Sequence, residues 1–194
     1  ITAKDAVFSI KLFKAPVINN EQNRPYFELI SDIITYPDNP RKLTIVCNKK
    51  YILAKSVAGS FTFIPQYIYD PKKLMDQISI KDINEKFNEV AENPAMKEFA
   101  TEYNSEKYQR EKGFIVGSGP YEFGEWVTGQ KIVLVKKKNW WGEKFKDEYA
   151  FQANPDKLIY QVIKDQTGAL TALKGKRLDV MYGVKSKDFV EQLQ

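Results

Sequence analysis

The chain has 194 residues and a formal net charge of +5, from 30 Lys and Arg against 25 Asp and Glu. Hydrophobic residues make up 43% and charged residues 28%, which is ordinary for a globular protein and excludes disordered, collagen-like and disulfide-stapled classes. A chain of this length forms one large domain or two small ones.

The missing residue types exclude several kinds of site. The sequence contains no histidine, so it cannot form a Ser-His-Asp or Cys-His catalytic set or a histidine-bound zinc site. Its single cysteine, Cys47, ends an apolar run and is predicted to be a small buried hydrophobe rather than a reactive thiol. No apolar run reaches the roughly 18 residues of a membrane-spanning helix, so the sequence predicts none.

The two ends of the sequence indicate a piece of a longer protein. The chain begins at Ile1 rather than Met, with the pattern of a helix N-terminus, and a helical pattern is still running at Gln194. We therefore expect an internal fragment, in which a missing signal sequence says nothing about location.

The first predicted element is a helix over Ala3–Lys14. Thr2 and Asp5 have the spacing of a capping box, and Pro16 blocks continuation of the helix. The apolar residues between these limits supply a face for a core.

Further elements are predicted up to residue 110. Turn residues followed by a β-branched run predict a hairpin whose second strand covers 43–48. A short helix is predicted at 51–58, and Asp70 is predicted to cap a helix that starts at Pro71. The polar stretch 81–110 carries a few apolar residues at helical spacing, broken at Asn93-Pro94, which predicts surface helices that each pack one narrow stripe.

After residue 116 the pattern changes to strands. Alternating residues on either side of Thr128-Gly129 predict a hairpin with strands at 121–127 and 131–136. The remaining elements are predicted in the order strand, helix, strand, helix, at 158–163, 166–174, 178–182 and from 186 onward. This order favours parallel pairing of the last two strands through a right-handed crossover.

Common catalytic and phosphate motifs are incomplete. The segment 117–119 lacks the third glycine of a dinucleotide fingerprint, and 175–177 lacks the Ser/Thr and the loop glycine of a P-loop. Asp147 and Glu148 are sequence neighbours that point apart, so they predict a solvated surface rather than an acid/base pair. The lysine run 136–138 predicts a solvated strand end.

Three tryptophans, Trp126, Trp140 and Trp141, flank the second hairpin. An exposed pair of indoles can stack on a ligand, whereas tryptophan also packs between secondary-structure elements. Both interpretations stay open from the sequence.

Motifs spread over the whole chain resemble one family. The segments 117–126, 129–134 and 139–142 resemble the "G-T-G-P-Y … W … G … I-x-L … N-x-x-Y-W-G" signature of the extracellular peptide-binding proteins of ABC transporters, solute-binding family 5. The opening 2–10 is similar to that family's "T-A-x-D-V-x-F-S" helix, and 173–180 resembles its "L-K-x-G-x-x-D-V" turn.

This resemblance implies an α/β fold with mixed helices and strands, in the form of a partial periplasmic-binding-protein-like type II fold. Residues 1–116 would form a small accessory lobe and residues 117–194 part of the first large lobe. The implied activity is non-enzymatic, without cofactor or metal: the protein holds a peptide in an interlobe cleft and delivers it to the membrane permease of an ABC transporter. We expect a monomer that binds no nucleic acid, in the periplasm or at the cell surface, with a lipid anchor as one option.

Ligand contacts are expected near the end of the last predicted strand. Open α/β sheets present ligand contacts at the carboxyl ends of parallel strands, so strand 178–182 predicts Met181, Tyr182 and Gly183 as ligand-binding residues. The alternative is that Met181 belongs to the core and Tyr182 is a surface aromatic. Residues that pair with the peptide termini are expected beyond Gln194.

Other functions stay open at this stage. Members of the same family that bind a nickel chelate, haem or an oligosaccharide offer one alternative. A basic, aromatic nucleic-acid-binding module offers another from a different class, because the net charge is positive.

Overall fold

The structure of the protein is a computed structural model that describes residues 1–192. The chain divides into two units, Ile1–Ile115 and Val116–Gln194. The first unit is mostly helical and carries a two-stranded hairpin, and the second carries a three-stranded sheet followed by helices.

The helices of the first unit are α1 (Ala3–Lys14), α2 (Arg24–Phe27), α3 (Ala54–Gly59), α4 (Gln66–Tyr69), α5 (Ile80–Glu85), α6 (Phe87–Glu92), α7 (Pro94–Tyr103) and α8 (Glu106–Arg110). Strands β1 (Ile30–Tyr36) and β2 (Asn39–Cys47) pair antiparallel. A 3-10 helix covers Leu74–Gln77.

Helix α1 is the centre of the first unit and confirms the predicted range Ala3–Lys14. The N–H of Thr2 donates to Oδ2 of Asp5 at 2.7 Å, as the capping box requires. Phe8, 1% exposed, belongs to one core cluster, whereas the fully buried Ile10 belongs to another. Because α1 is buried on two sides, it joins the hairpin to the later helices of this unit.

The predicted first hairpin is confirmed, although its second strand begins earlier, at Asn39. Ile33 lies opposite Ile45 in the ladder, and both pack against the cluster that contains Ile10. Cys47 packs on the same cluster as a free thiol and is half-buried, so it is less enclosed than predicted.

The prediction of a helix that starts at Pro71 is wrong, because a 3-10 helix begins only at Leu74. Asp70 does act as a cap, but its carboxylate accepts from the N–H groups of Leu74 at 2.8 Å and Met75 at 3.0 Å. Lys73 adopts a positive φ of 55°, and this left-handed residue interrupts any helix that would begin at Pro71.

The later helices of this unit pack more deeply than predicted. Met96 is fully buried and Phe99 is 2% exposed, in the same cluster as Phe8. The predicted break at Asn93 is confirmed, and its side chain accepts from the N–H groups of the first turn of α7. Because each of these short helices can turn its apolar face toward the same centre, together they form a core instead of covering a surface.

Helix α3 begins at Ala54, later than predicted.

The second unit contains strands β3 (Tyr121–Val127), β4 (Lys131–Lys136) and β5 (Lys157–Gln161), in the order β3-β4-β5 with antiparallel pairing throughout. The predicted hairpin is confirmed at both strands. The connection from β4 to β5 contains 3-10 helices at Trp141–Phe145 and Tyr149–Phe151, and helices α9 (Gln166–Lys174) and α10 (Ser186–Gln192) follow.

Parallel pairing of the last two predicted strands is wrong. Strand β5 pairs antiparallel with β4, with Ile159 opposite Val133, and the segment 178–182 forms no strand within residues 1–192. The N–H groups of Arg177 and Leu178 donate to the carbonyl of Ala172 at 2.8 and 3.3 Å. These amides close the C-terminal end of α9 instead of pairing with a neighbouring strand. Alternating apolar residues form a strand only where a neighbouring strand accepts and donates the backbone hydrogen bonds.

Candidate functional site

The residues predicted to contact a ligand lie in the connection between α9 and α10, not at a strand end. Met181 is half-buried, and Tyr182 is 85% exposed. Gly183 has a φ of +72°, which side-chain-bearing residues rarely adopt, so the chain turns there. An exposed phenol next to a glycine turn can offer a ring face and a hydroxyl group to a ligand.

The two helices hold this connection from both sides. Asp165 caps α9 by accepting from the N–H of Gly168 at 2.7 Å, and Leu170, 1% exposed, anchors the helix in its unit. Gln166, in the first turn of α9, donates from Nε2 to Oδ2 of Asp188 in α10. Because the start of α9 is tied to α10, the intervening loop is closed at its base.

Two motifs of the family resemblance meet in one contact. The carbonyl oxygen of Ser118 accepts from Nε1 of Trp140 and from Nε1 of Trp141, each at 2.8 Å. The same turn is held by Lys137, whose backbone N–H donates to the carbonyl oxygen of Pro120 at 2.8 Å. The glycine-rich turn and the tryptophan pair therefore form one structural unit, which sequence reasoning missed because residues 118 and 140 are not neighbours in the chain.

The tryptophans divide between the two interpretations that the sequence left open. Trp140 is 9% exposed and belongs to the core. Trp141 is 56% exposed, although its ring also packs edge-on against Phe151 at a centroid distance of 5.7 Å. Trp126 is 42% exposed on β3. An exposed indole face at Trp141 or Trp126 is a surface on which a ligand can stack.

Position 142, directly after the tryptophan pair, requires a glycine because the indole of Trp140 packs over its Cα. A Cβ atom at position 142 would lie 2.4 Å from atoms of that ring. The glycine in this motif thus allows the indole of Trp140 to pack closely against the backbone.

Charged and polar groups in this unit are held by ordinary contacts. The hydroxyl of Tyr121 donates to the carbonyl of Pro155 at 2.8 Å. Burial, helped by the charge of Asp156, raises the pKa of that phenol.

Among residues 1–192, no cluster of three or more Cys, Asp or Glu side chains is placed to hold a metal ion. Within the same residues, no helix is long and apolar enough to cross a bilayer.

Comparison with known proteins gives one family. The sequence model described as "Bacterial extracellular solute-binding proteins, family 5 Middle" matches residues 1–194. No curated protein sequence matches the chain.

Solved structures resemble the chain at low sequence identity. The oligopeptide-binding protein AppA from Bacillus subtilis, in complex with a nonapeptide, has a TM-score of 0.59 at 18% identity, over 98% of this chain and 30% of that one. NikZ from Campylobacter jejuni, in complex with Ni(L-His), has a TM-score of 0.59 at 21% identity, over 92% and 27%. A periplasmic oligopeptide-binding protein from Thermotoga maritima, with bound mannohexaose, has a TM-score of 0.57 at 19% identity, over 99% and 29%.

These likenesses are evidence about the fold. They confirm the predicted mixed α/β class and the partial type II periplasmic-binding-protein fold. The chain spans 27 to 30% of the length of these three structures.

Proposed function

The chain belongs to the bacterial extracellular solute-binding proteins of family 5, and from this premise we propose that it is part of a receptor that binds peptides and delivers them to the membrane permease of an ABC transporter. The observation that carries the proposal is the family match over all 194 residues. The likeness to AppA, solved with a nonapeptide, supports a peptide as the solute.

In this proposal the two units have different places in the receptor. Residues 1–116 form the small accessory lobe, and residues 117–194 form part of the first large lobe. The division of the chain into Ile1–Ile115 and Val116–Gln194 supports this assignment. The receptor works as a monomer outside the cytoplasmic membrane, in the periplasm or on a lipid anchor at the cell surface, and it neither catalyses a reaction nor binds nucleic acid.

The solute is held between lobes that close around it. Closure is a hinge motion, and bound solute stabilises the closed form because it contacts both lobes only there. An extended peptide offers backbone donors and acceptors at every residue, which suits a receptor with little side-chain selectivity. Ordered water fills the space around side chains of different size.

Met181, Tyr182 and Gly183 are proposed to contact the solute. Support comes from the 85% exposure of Tyr182 and from the turn at Gly183. In the full-length protein, Tyr182→Ala should weaken solute binding roughly tenfold, because an aromatic contact is lost. Tyr149→Ala removes another tyrosine, 90% exposed in the same unit, and should leave the affinity unchanged. Equal affinities for both variants and the parent protein would contradict the role of Tyr182.

A nickel chelate or an oligosaccharide is the second candidate for the solute, because NikZ was solved with Ni(L-His) and the Thermotoga maritima protein with mannohexaose. The deciding experiment is native mass spectrometry of the full-length protein purified from its own cells. A ladder of bound masses spaced by amino-acid residues would support a peptide receptor. A single discrete mass would identify a dedicated solute and overturn the peptide assignment.

A further inference from the structure

A cavity of about 570 Å³ in the first unit gathers positive side chains. Lys14, Arg24 and Lys81 line it, together with the carboxylates of Glu28 and Glu85. A volume of this size lies within the range of small-molecule sites, roughly 300 to 1,000 Å³.

Lys14 is the most enclosed of these charges. It is the last residue of α1 and is 4% exposed, and its Nζ donates to the carbonyl of Phe27 at 2.8 Å. An ammonium group carries three donors, so this carbonyl does not use them all. Burial lowers the pKa of Lys14 to about 8, against a smaller opposing effect of Glu28. The neighbouring protein groups therefore compensate the buried charge only in part.

Arg24 supplies a second cation with spare donors. One of its terminal nitrogens donates to the carbonyl of Ala15 at 3.1 Å, and its guanidinium carbon lies 5.1 Å from the ring centroid of Phe87. Its Nε is buried, and no protein group accepts a hydrogen bond from it. A buried donor of a charged group is costly without an acceptor.

The carboxylates of the cavity do not neutralise these two side chains. Glu28 and Glu85 are exposed. In the part of the chain that the structure describes, no carboxylate oxygen lies within 4.0 Å of the charged nitrogens of Lys14 or Arg24. Among the described residues, the hydrogen-bond and ring partners of the two cations are neutral groups: backbone carbonyls and the ring of Phe87.

We propose that this cavity binds a small organic ligand through an oxyanion, a carboxylate held between Lys14 and Arg24. Guanidinium groups hold carboxylate or phosphate in a planar, two-pronged arrangement, and a nearby ammonium adds a point charge. Ile83 and Phe87 give the cavity an apolar wall for the carbon skeleton of the ligand. The lining residues all belong to the first unit, and none of them is among the residues 181–183 proposed to contact the peptide.

Calorimetry on the full-length protein tests the proposal, with succinate and inorganic phosphate titrated separately at an ionic strength held constant with NaCl. Lys14→Met and Arg24→Gln should each weaken binding of the preferred anion about tenfold or more, because each removes a charge-assisted hydrogen bond. Lys112→Met is the matched control: this lysine is exposed and belongs to the same unit, and its loss should leave the affinity unchanged. Tighter binding of succinate supports the proposed carboxylate, and tighter binding of phosphate overturns it.

NMR titration of Lys14 in the parent protein keeps the test decisive if a variant fails to fold. The pKa of Lys14 should rise when the anion is added, because a nearby negative charge favours the ammonium form. An unmoved Lys14 pKa with both anions, or affinities within about twofold of the parent in both variants, would overturn the proposal.

Discussion

The two units bury their apolar residues to very different degrees. In the first, residues from α1, the hairpin and the later helices form two core clusters. In the second, Ile159 and Tyr160 of β5 are 60% and 55% exposed, and Val180 is 62% exposed. The first unit thus has a centre that its own residues enclose, whereas these three apolar side chains of the second unit face outward. Similar apolar patterns therefore end in different degrees of burial, because burial depends on whether another element packs against them.

The largest expected effect lies in the core of the first unit. Phe99→Ala should lower the free energy of unfolding by about 3 to 5 kcal/mol, because it leaves a cavity beside Phe8 and Met96. Ile159→Ala in β5 should lower it by less than about 1 kcal/mol, since that side chain is 60% exposed. Urea denaturation measures both changes.

The chain provides separate probes for the two units. All three tryptophans, Trp126, Trp140 and Trp141, lie in the second unit, so their fluorescence reports on that unit. Far-ultraviolet circular dichroism follows mainly the helices of the first. If Phe99→Ala shifted the fluorescence transition as far as the dichroism transition, the two units would unfold together. Their different burial would then not give them separate stabilities.

The tryptophan motif should be sensitive to any side chain added at position 142. Gly142→Ala should destabilise the second unit by about 2 kcal/mol, since the new methyl group would lie 2.4 Å from the ring of Trp140. Gly119→Ala is the matched control in the same unit: a Cβ there meets nothing within 4 Å, and the change should be within about 0.5 kcal/mol. Fluorescence-monitored unfolding separates the two. Equal midpoints would mean that Trp140 moves aside freely.

Asp70 allows a comparable test in the first unit. Its side chain is 2% exposed and accepts from Leu74 and Met75, so Asp70→Ala should cost about 2 kcal/mol by leaving two N–H groups without an acceptor. Asp32→Ala, at an exposed position of β1, should cost clearly less. Thermal unfolding followed by dichroism compares them, and a smaller effect at position 70 than at position 32 would refute the capping role.

Local patterns predicted the fold best where all the partners are close in sequence. Helix α1 and the two hairpins follow from capping residues, turn residues and alternation, and the structure contains each of them. The predictions failed where a single backbone conformation decides the outcome. The left-handed Lys73 redirects the chain after Asp70, and the amides of Arg177 and Leu178 turn back onto α9. Neither event leaves a signal in hydrophobic periodicity.

The candidate site was predictable only in part for the same reason. Residues 181–183 were selected as the end of a strand that the structure does not contain, so their role in binding stays a prediction. The shared acceptor at Ser118 and the cations Lys14 and Arg24 could not be found from the sequence. These contacts join residues whose proximity is set by packing, and lysine and arginine are commonly solvated surface residues.

A pH dependence of the stability is expected from Lys14 in the first unit. Its pKa in the folded protein is lowered to about 8 from 10.5, so from about pH 8 to about pH 10 the unfolded chain binds more protons than the folded one. The free energy of unfolding should therefore gain a contribution that rises with pH across this window, with a slope of at most about 1.4 kcal/mol per pH unit for one proton. Below about pH 8 both states hold the proton and the contribution is constant.

The variant Lys14→Met should lack this pH-dependent contribution, whereas Lys112→Met should follow the parent protein. Tyr103, whose pKa burial raises to about 12, acts in the opposite direction only above about pH 10, and it is present in all three proteins. A difference between parent and Lys14→Met that stays flat from about pH 8 to about pH 10 would show that the ammonium group of Lys14 is solvated in the folded state.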